Sequence, residues 1–198
     1  MMWRLIARRC PTRSMTIVGD LVQTSAPVKG GWRDRLPESV LGPARIEELS
    51  VNYRTPEQIM DLAVGVLARN GITVAAPRSV RRGIDPIDTA ELGDTGIEDA
   101  IEAAAGKTIE GRVLVVCANA DRARSIVVPD RWADLVDVRP VRDTKGLEYD
   151  HVVIVDPAEI LASSERGAND LFVAMTRATQ RLTLVERAGS SLMSDLSN

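Results

Sequence analysis

The sequence predicts an α/β fold, a mostly parallel sheet with helices on both faces. Two observations carry this. Short apolar runs alternate with helical patterns for nearly the whole length, as a sheet built from strand–helix–strand crossovers requires. The runs "RVLVVCA" and "HVVIVD" are continuously apolar, which is the pattern of strands buried on both faces rather than on one. The 198 residues are expected to form a single domain, 1–198, because a domain of about 150 residues already buries roughly 70% of its unfolded surface. No internal repeat, low-complexity linker or second compositional domain interrupts it.

Taken in order, "MMWRLIARR" has an apolar and basic helical pattern with no N-cap, so the element is expected to start inside a longer one and the chain to be a fragment. "SMTIVGD" reads as a short strand running into the Gly/Ser/Thr/Pro-rich loop "GDLVQTSAPVKGG". "ARIEELSVNYR" reads as a second strand. Thr55 then serves as N-cap, with Pro56 at the first helical position, and Ile59, Leu62, Ala63, Val66 and Leu67 keep helical spacing up to the stop at Asn70-Gly71.

Residues 74–96 are rich in Pro, Gly, Asp and Arg, and "PIDTAEL" is placed there as an edge strand. "GIEDAIEAAAG" is a helix, "RVLVVCA" a buried strand, and "NADRARSIV" a short helix capped by Asn119. "LVDVRPV" is a strand and "HVVIVD" a central one. "PAEILAS" and "GANDLFVAMTRATQ" follow as helices, and "RLTLVE" closes the sheet.

Composition excludes several classes. No apolar run approaches the roughly 20 residues of a membrane span, and the N-terminus lacks both a long apolar core and a small-residue cleavage site. Cys10 and Cys117 lie far apart, and Cys117 sits in an apolar run, so both are expected to be reduced thiols and the protein cytoplasmic. A net charge of -3 argues against coating nucleic acid by bulk electrostatics, while leaving room for a local basic groove. Arginine outnumbers lysine 22 to 3, which reads as compositional bias rather than function.

Polar clusters mark where chemistry is expected. In α/β sheets ligands bind outside the carboxyl ends of strands, and "GDLVQ", "NYR", "DTKGLEYD" and "AMTRA" are expected to gather there. In that order, with "LSVNYRTP", "TKGLEYDHVVIV" and "LFVAMTRATQRL" as the telling phrases, the chain from about Trp3 to Glu186 resembles motifs III to VI of superfamily 1 helicases of the UvrD/Rep type. "GDLVQTSAP" and the short span between "NYR" and "KGLEYD" look most like the HelD/HelR branch, motors that displace and recycle RNA polymerase.

The resemblance implies the second RecA-like domain of a two-domain ATP motor, a P-loop NTPase-type fold without a P-loop of its own. It implies Arg177 as an arginine finger, a fixed cation worth roughly 10³ to 10⁵ in rate in related nucleotide hydrolases. Arg54 would be a second γ-phosphate contact and Gln23 a sensor of the γ-phosphate and attacking water. Tyr53 would stack near adenine, Glu148 would accept a hydrogen bond from the ribose, and Gly146 would let the backbone approach. Thr144 and Lys145 would couple to nucleic acid. ATP with Mg²⁺ would be held mainly by an N-terminal RecA-like domain of the same parent. Single-stranded DNA, and in the HelD/HelR branch RNA polymerase, would be the partners.

Plainer readings stand beside these. Arg177 reads as a helical arginine that is solvated or ion-paired, Arg54 could pair with Glu57 or Asp61, and Gln23 could satisfy loop backbone groups. Glu148 could be a surface carboxylate beside Lys145, worth at most about 1 kcal/mol if exposed. His151, the single histidine, has no Cys or acidic partner at ligand spacing, so no metal is expected. Trp32 and Trp132 read as packing residues, with Trp32 the better candidate for a contact.

The chain departs from the family in three ways. It contains no G-x-x-x-x-G-K-[ST] loop and no magnesium-binding acidic motif, so alone it is not expected to hydrolyse ATP. Arg142 and Asp143 precede Lys145 where many DNA-translocating relatives carry a histidine. The interval from Arg54 to Lys145 leaves no room for the large inserted domain of full-sized relatives. The rival reading from another class is a non-catalytic nucleotide-sensing or protein-interaction domain; a small-molecule enzyme has neither a G-x-G-x-x-G turn nor a Ser, His and Asp set to support it.

Overall fold

The computed structural model describes residues 2–12, 14–20, 22–23, 32, 36, 45–75, 77–189 and 192. The chain divides into two compact units, residues 1–48 and 49–198. In the first unit, α1 (Met2–Arg9) is the helix the opening pattern predicts. Residues 14–20, expected as a strand, pair with no other strand. A strand needs a ladder partner for its backbone groups, and none of the described residues offers one. The Trp32 ring lies over Gly19, where a Cβ would come within 2.7 Å of it. Trp32 therefore packs within its own unit. Most of the loop from Leu21 to Gly31 lies outside the described residues.

The second unit opens with a two-stranded parallel ribbon, β1 (Val51–Asn52) and β2 (Arg78–Ser79). Between them runs α2 (Glu57–Arg69), which buries Ile59, Leu62, Ala63, Val66 and Leu67, the stripe expected from helical spacing. It stops as predicted: Asn70 closes the last turn, and Gly71 takes a left-handed φ of 73° that lets the Ile72 amide bond back to the Leu67 carbonyl. Its start differs from expectation. Pro56 occupies the cap position without a side-chain bond, and the Thr55 hydroxyl turns instead toward another element.

The main sheet has five strands, all parallel, in the order β3 (Ile87–Glu91), β7 (Ala178–Glu186), β6 (Tyr149–Val155), β4 (Val113–Cys117), β5 (Val136–Pro140). "PIDTAEL" is thus an edge strand and "HVVIVD" the central one. Alternation sends Val113, Val115, Cys117, Val153, Val155 and Val185 to one face, where they form a core with Ala100, Ile101, Ala104 and Ala105 of α3 (Gly96–Lys107). The intervening Leu114, Val116, Val152, Ile154 and Leu184 are fully buried on the other face. There α6 (Gly167–Met175) touches β6 and β7, with α2 and α5 (Pro157–Ala162) packed against it. Burial of this kind is worth about 1.5–3 kcal/mol for each large aliphatic side chain.

Asn119 caps α4 (Ala120–Ser125) by accepting from the Arg122 amide at 2.9 Å. Trp132 packs against the α3 core and donates its indole N–H to Glu102 at 3.0 Å. Burial pushes the Cys117 thiol up to about 11, consistent with an inert core residue. Two boundaries shift: of the strand expected over "ARIEELSVNYR" only Val51–Asn52 finds a ladder partner, and the last helix ends at Met175 rather than extending through Gln180, with β7 beginning at Ala178. The Thr176 hydroxyl bonds to the Phe172 and Val173 carbonyls, each at 3.0 Å, and so finishes the helix locally.

His151 is buried in β6 with Nε2 2.8 Å from the Thr183 hydroxyl. Burial pulls its imidazole down to about 4. The unfolded chain therefore binds the extra proton between pH 6.5 and 4, and the stability of the neutral form, complete above pH 6.5, is lost as pH falls through that window. Urea denaturation of wild type and His151→Gln should show wild type losing about 2 kcal/mol more between pH 7.5 and 5. Equal losses would mean that the histidine is not held neutral.

Candidate functional site

Parallel pairing brings the lead-ins of β6 and β7 side by side. Tyr149 is in register with Ala178, and the Tyr149 amide donates to the Arg177 carbonyl at 3.0 Å. Glu148 and Arg177 are the residues just before those strands, so they lie at the amino ends of the sheet. For "DTKGLEYD" and "AMTRA" this corrects the expectation of carboxyl ends, whereas "NYR" does follow the carboxyl end of β1. The physical reason is that "KGLE" and "MTR" precede strands, and in a parallel sheet every strand is entered from the same edge.

Arg177 is 3% exposed and sits in the turn between α6 and β7, not within the helix. Its Nε donates to the Val173 carbonyl at 3.0 Å, one terminal nitrogen to the Leu147 carbonyl at 3.3 Å, and the other to the Thr176 hydroxyl at 3.4 Å. The guanidinium thus joins the end of α6 to the segment that enters β6. Its longest-reaching contact, to Leu147, is only partly buried.

Arg54 forms an ion pair with Glu148, not with Glu57 or Asp61. Glu57 is approached by Arg82 instead, at 3.7 Å. Two of the residues singled out in the sequence therefore meet directly, and Arg177 bonds to the residue adjoining one of them. Both members of the pair are close to half exposed, so water screens the attraction and leaves both charges available.

Gly146 adopts a φ of 78°, and nothing lies within 4 Å of where a Cβ would stand. Glycine is needed there for the left-handed turn, with open space beside it. Thr144 is fully buried, its hydroxyl bonded to the Val141 carbonyl at 2.7 Å, so it closes a 3-10 turn and presents nothing to solvent. Lys145 is half-buried. Tyr53 is 71% exposed. Gln23 lies in the first unit, where its amide donates to Asp20 at 2.7 Å.

The motif reading missed the residues beneath Arg54. Asn52 accepts from the Arg54 and Thr55 amides at 3.0 and 3.3 Å, and the Thr55 hydroxyl donates to the Thr176 carbonyl at 3.3 Å. An Asn two residues before a turn residue is a legible sign of an Asx turn. The bond to Thr176 had no sequence signal, because its partner lies 121 positions away.

Residues 135–185 match the UvrD-like helicase C-terminal domain family. The match spans β5 to β7 and contains Thr144, Lys145, Gly146, Glu148 and Arg177, while Arg54, Tyr53 and Gln23 fall outside it. The chain is also similar to a solved structure, the C-terminal domain of a possible DNA helicase from Lactobacillus plantarum WCFS1, with a TM-score of 0.53 and 20% identity. That similarity covers 73% of this chain and 94% of the other. It shows a shared fold, a mostly parallel five-stranded α/β sheet. No curated protein matches the chain. Among the described residues, no helix is long and apolar enough to cross a membrane.

Exposure separates the two arginines in a measurable way. Glu148→Gln breaks only a half-exposed pair and should change unfolding free energy by less than about 1 kcal/mol. Arg177→Met strands buried carbonyls and should cost roughly 2–4 kcal/mol. Urea titration of both variants checks this, and equal effects would contradict the structural role of Arg177.

Proposed function

We propose that this chain is the second RecA-like half of an ATP-dependent helicase or translocase, presenting Arg177, Arg54 and Glu148 to a nucleotide held on another RecA-like domain. The observation that carries the reading is the convergence of these three residues at one end of a parallel sheet that has no phosphate loop of its own. ATP with Mg²⁺ supplies the phosphoanhydride to be hydrolysed. The residues present suit its outer side: two guanidinium groups for phosphate oxygens, a carboxylate acceptor for a ribose hydroxyl, and open space beside Gly146. They do not suit the α- and β-phosphates, which need the backbone cradle of a G-x-x-x-x-G-K-[ST] loop.

In this reading Arg177 is the catalytic finger. To reach a phosphate it gives up its partly buried contact with Leu147 while the Val173 bond keeps the side chain anchored. Arg54 releases Glu148 to bind a second phosphate oxygen, freeing the carboxylate for the ribose. Tyr53, already exposed, offers a ring for the base, and Thr144 and Lys145 pass the change toward nucleic acid. The partners are the domain carrying the phosphate loop and single-stranded DNA.

Burial of Arg177 also favours a second reading, a non-catalytic nucleotide-sensing or protein-interaction domain in which this arginine is purely structural. One measurement separates the two. In the full motor, with this chain joined to its phosphate-loop domain, Arg177→Lys should retain the charge and fold yet cut ATP turnover by about 10³-fold, with nucleotide affinity nearly intact. Turnover within a few-fold of wild type would favour the non-catalytic domain. Stimulation by single-stranded DNA would identify a DNA translocase, whereas a response to RNA polymerase alone would assign the HelD/HelR branch.

A further inference from the structure

We propose that Asn52 and Thr55 are positioning residues that hold Arg54 and Arg177 in a fixed mutual register. The Asn52 amide works at both ends. Its Oδ1 accepts from the Arg54 and Thr55 amides, while its Nδ2 donates to the Thr55 carbonyl at 3.0 Å and to the Ser79 hydroxyl at 2.9 Å. The first three bonds close residues 52–55 into a tight loop. The fourth ties that loop to β2, across a ribbon only two residue pairs long, too short to be rigid by backbone pairing alone.

Thr55 then links this loop to the second arginine. Its side chain is buried, and its hydroxyl donates to the carbonyl of Thr176, the residue before Arg177. The path returns through the Arg177 bond to Leu147 and the Arg54 pair with Glu148. The loop carrying Arg54, the turn carrying Arg177 and the lead-in carrying Glu148 are thus joined pairwise. Of the three joints, Arg54–Glu148 and Arg177–Leu147 involve the groups that a nucleotide would displace. The Thr55–Thr176 bond involves neither guanidinium, so it persists when both arginines move.

The residue types are specific to these tasks. Aspartate at position 52 would place a carboxylate oxygen against the Thr55 carbonyl, and valine at position 55 would fill the same space without a donor. The catalytic consequence rests on the motor reading above; the geometric one does not.

Two readouts keep these apart. In the 198-residue chain, Thr55→Val should shift the Arg177 Nε–H resonance and speed its exchange by about tenfold, whereas Thr55→Ser should leave both as in wild type. Asn52→Asp should likewise deprotect the Arg54 and Thr55 amides. Unchanged Arg177 signals in Thr55→Val would overturn the proposal. In the full motor, Thr55→Val should lower kcat by about 10²-fold, the effect of misplacing a reacting group by about 1 Å, with KM little changed and recovery in Thr55→Ser. Undiminished kcat with shifted Arg177 signals would overturn the catalytic half. If Arg177→Lys itself left turnover unaltered, the motor reading would fail and the resonance data alone would decide the positioning.

Discussion

Parallel pairing of β6 with β7 is the constraint from which the candidate site follows. Two parallel neighbours are entered from the same edge of the sheet, so the residues that precede them become neighbours although the chain between them is long. The Tyr149 amide bonded to the Arg177 carbonyl is the first rung of that ladder. It places the turn after α6 against the lead-in to β6, and the Arg177 guanidinium extends the same contact with side-chain bonds. Removing the pairing would separate Arg177 from the lead-in that carries Glu148.

The buried sheet makes this edge rigid. Its central strands are covered on both faces, so β6 and β7 cannot slide without moving a packed core, and interiors packed at crystal-like density resist such shifts. Around the edge the groups grade from fully buried to exposed: Thr55 and Arg177 inside, Arg54 and Glu148 half out, Tyr53 outside. Such a gradient suits a surface that meets a charged ligand. The inner groups keep the geometry, and the outer ones can exchange a weak, screened ion pair for a stronger contact.

Charge at the site is set locally rather than by the chain's overall composition. The chain is mildly acidic, yet the Arg54 and Arg177 guanidinium groups gather with the Glu148 carboxylate where β6 and β7 begin. Bulk composition is therefore a poor guide to what binds there. At half exposure the Arg54–Glu148 pair is screened by water and contributes little to stability.

Local chemistry was enough to make the fold class legible in the sequence. Continuous apolar runs announced β4 and β6, helical spacing announced α2 and α3, and Asn119 and Asn70-Gly71 marked ends that the structure confirms, because caps and periodicity act over a few residues. Arg54, Glu148 and Arg177, which the fold brings together, were legible as motif residues. Three features were not. Thr55 read as a helix cap, but a buried hydroxyl takes the carbonyl that tertiary packing presents, here Thr176. Residues 14–20 had strand-like composition, but a strand exists only where a partner supplies the ladder. Glu148 and Arg177 were expected at carboxyl ends and lie at the amino ends of β6 and β7, since a sequence shows which loop precedes a strand but not which loops become neighbours. Propensity and capping are local and travel with the residues, whereas partners 30 or 121 positions away are chosen only when the sheet closes.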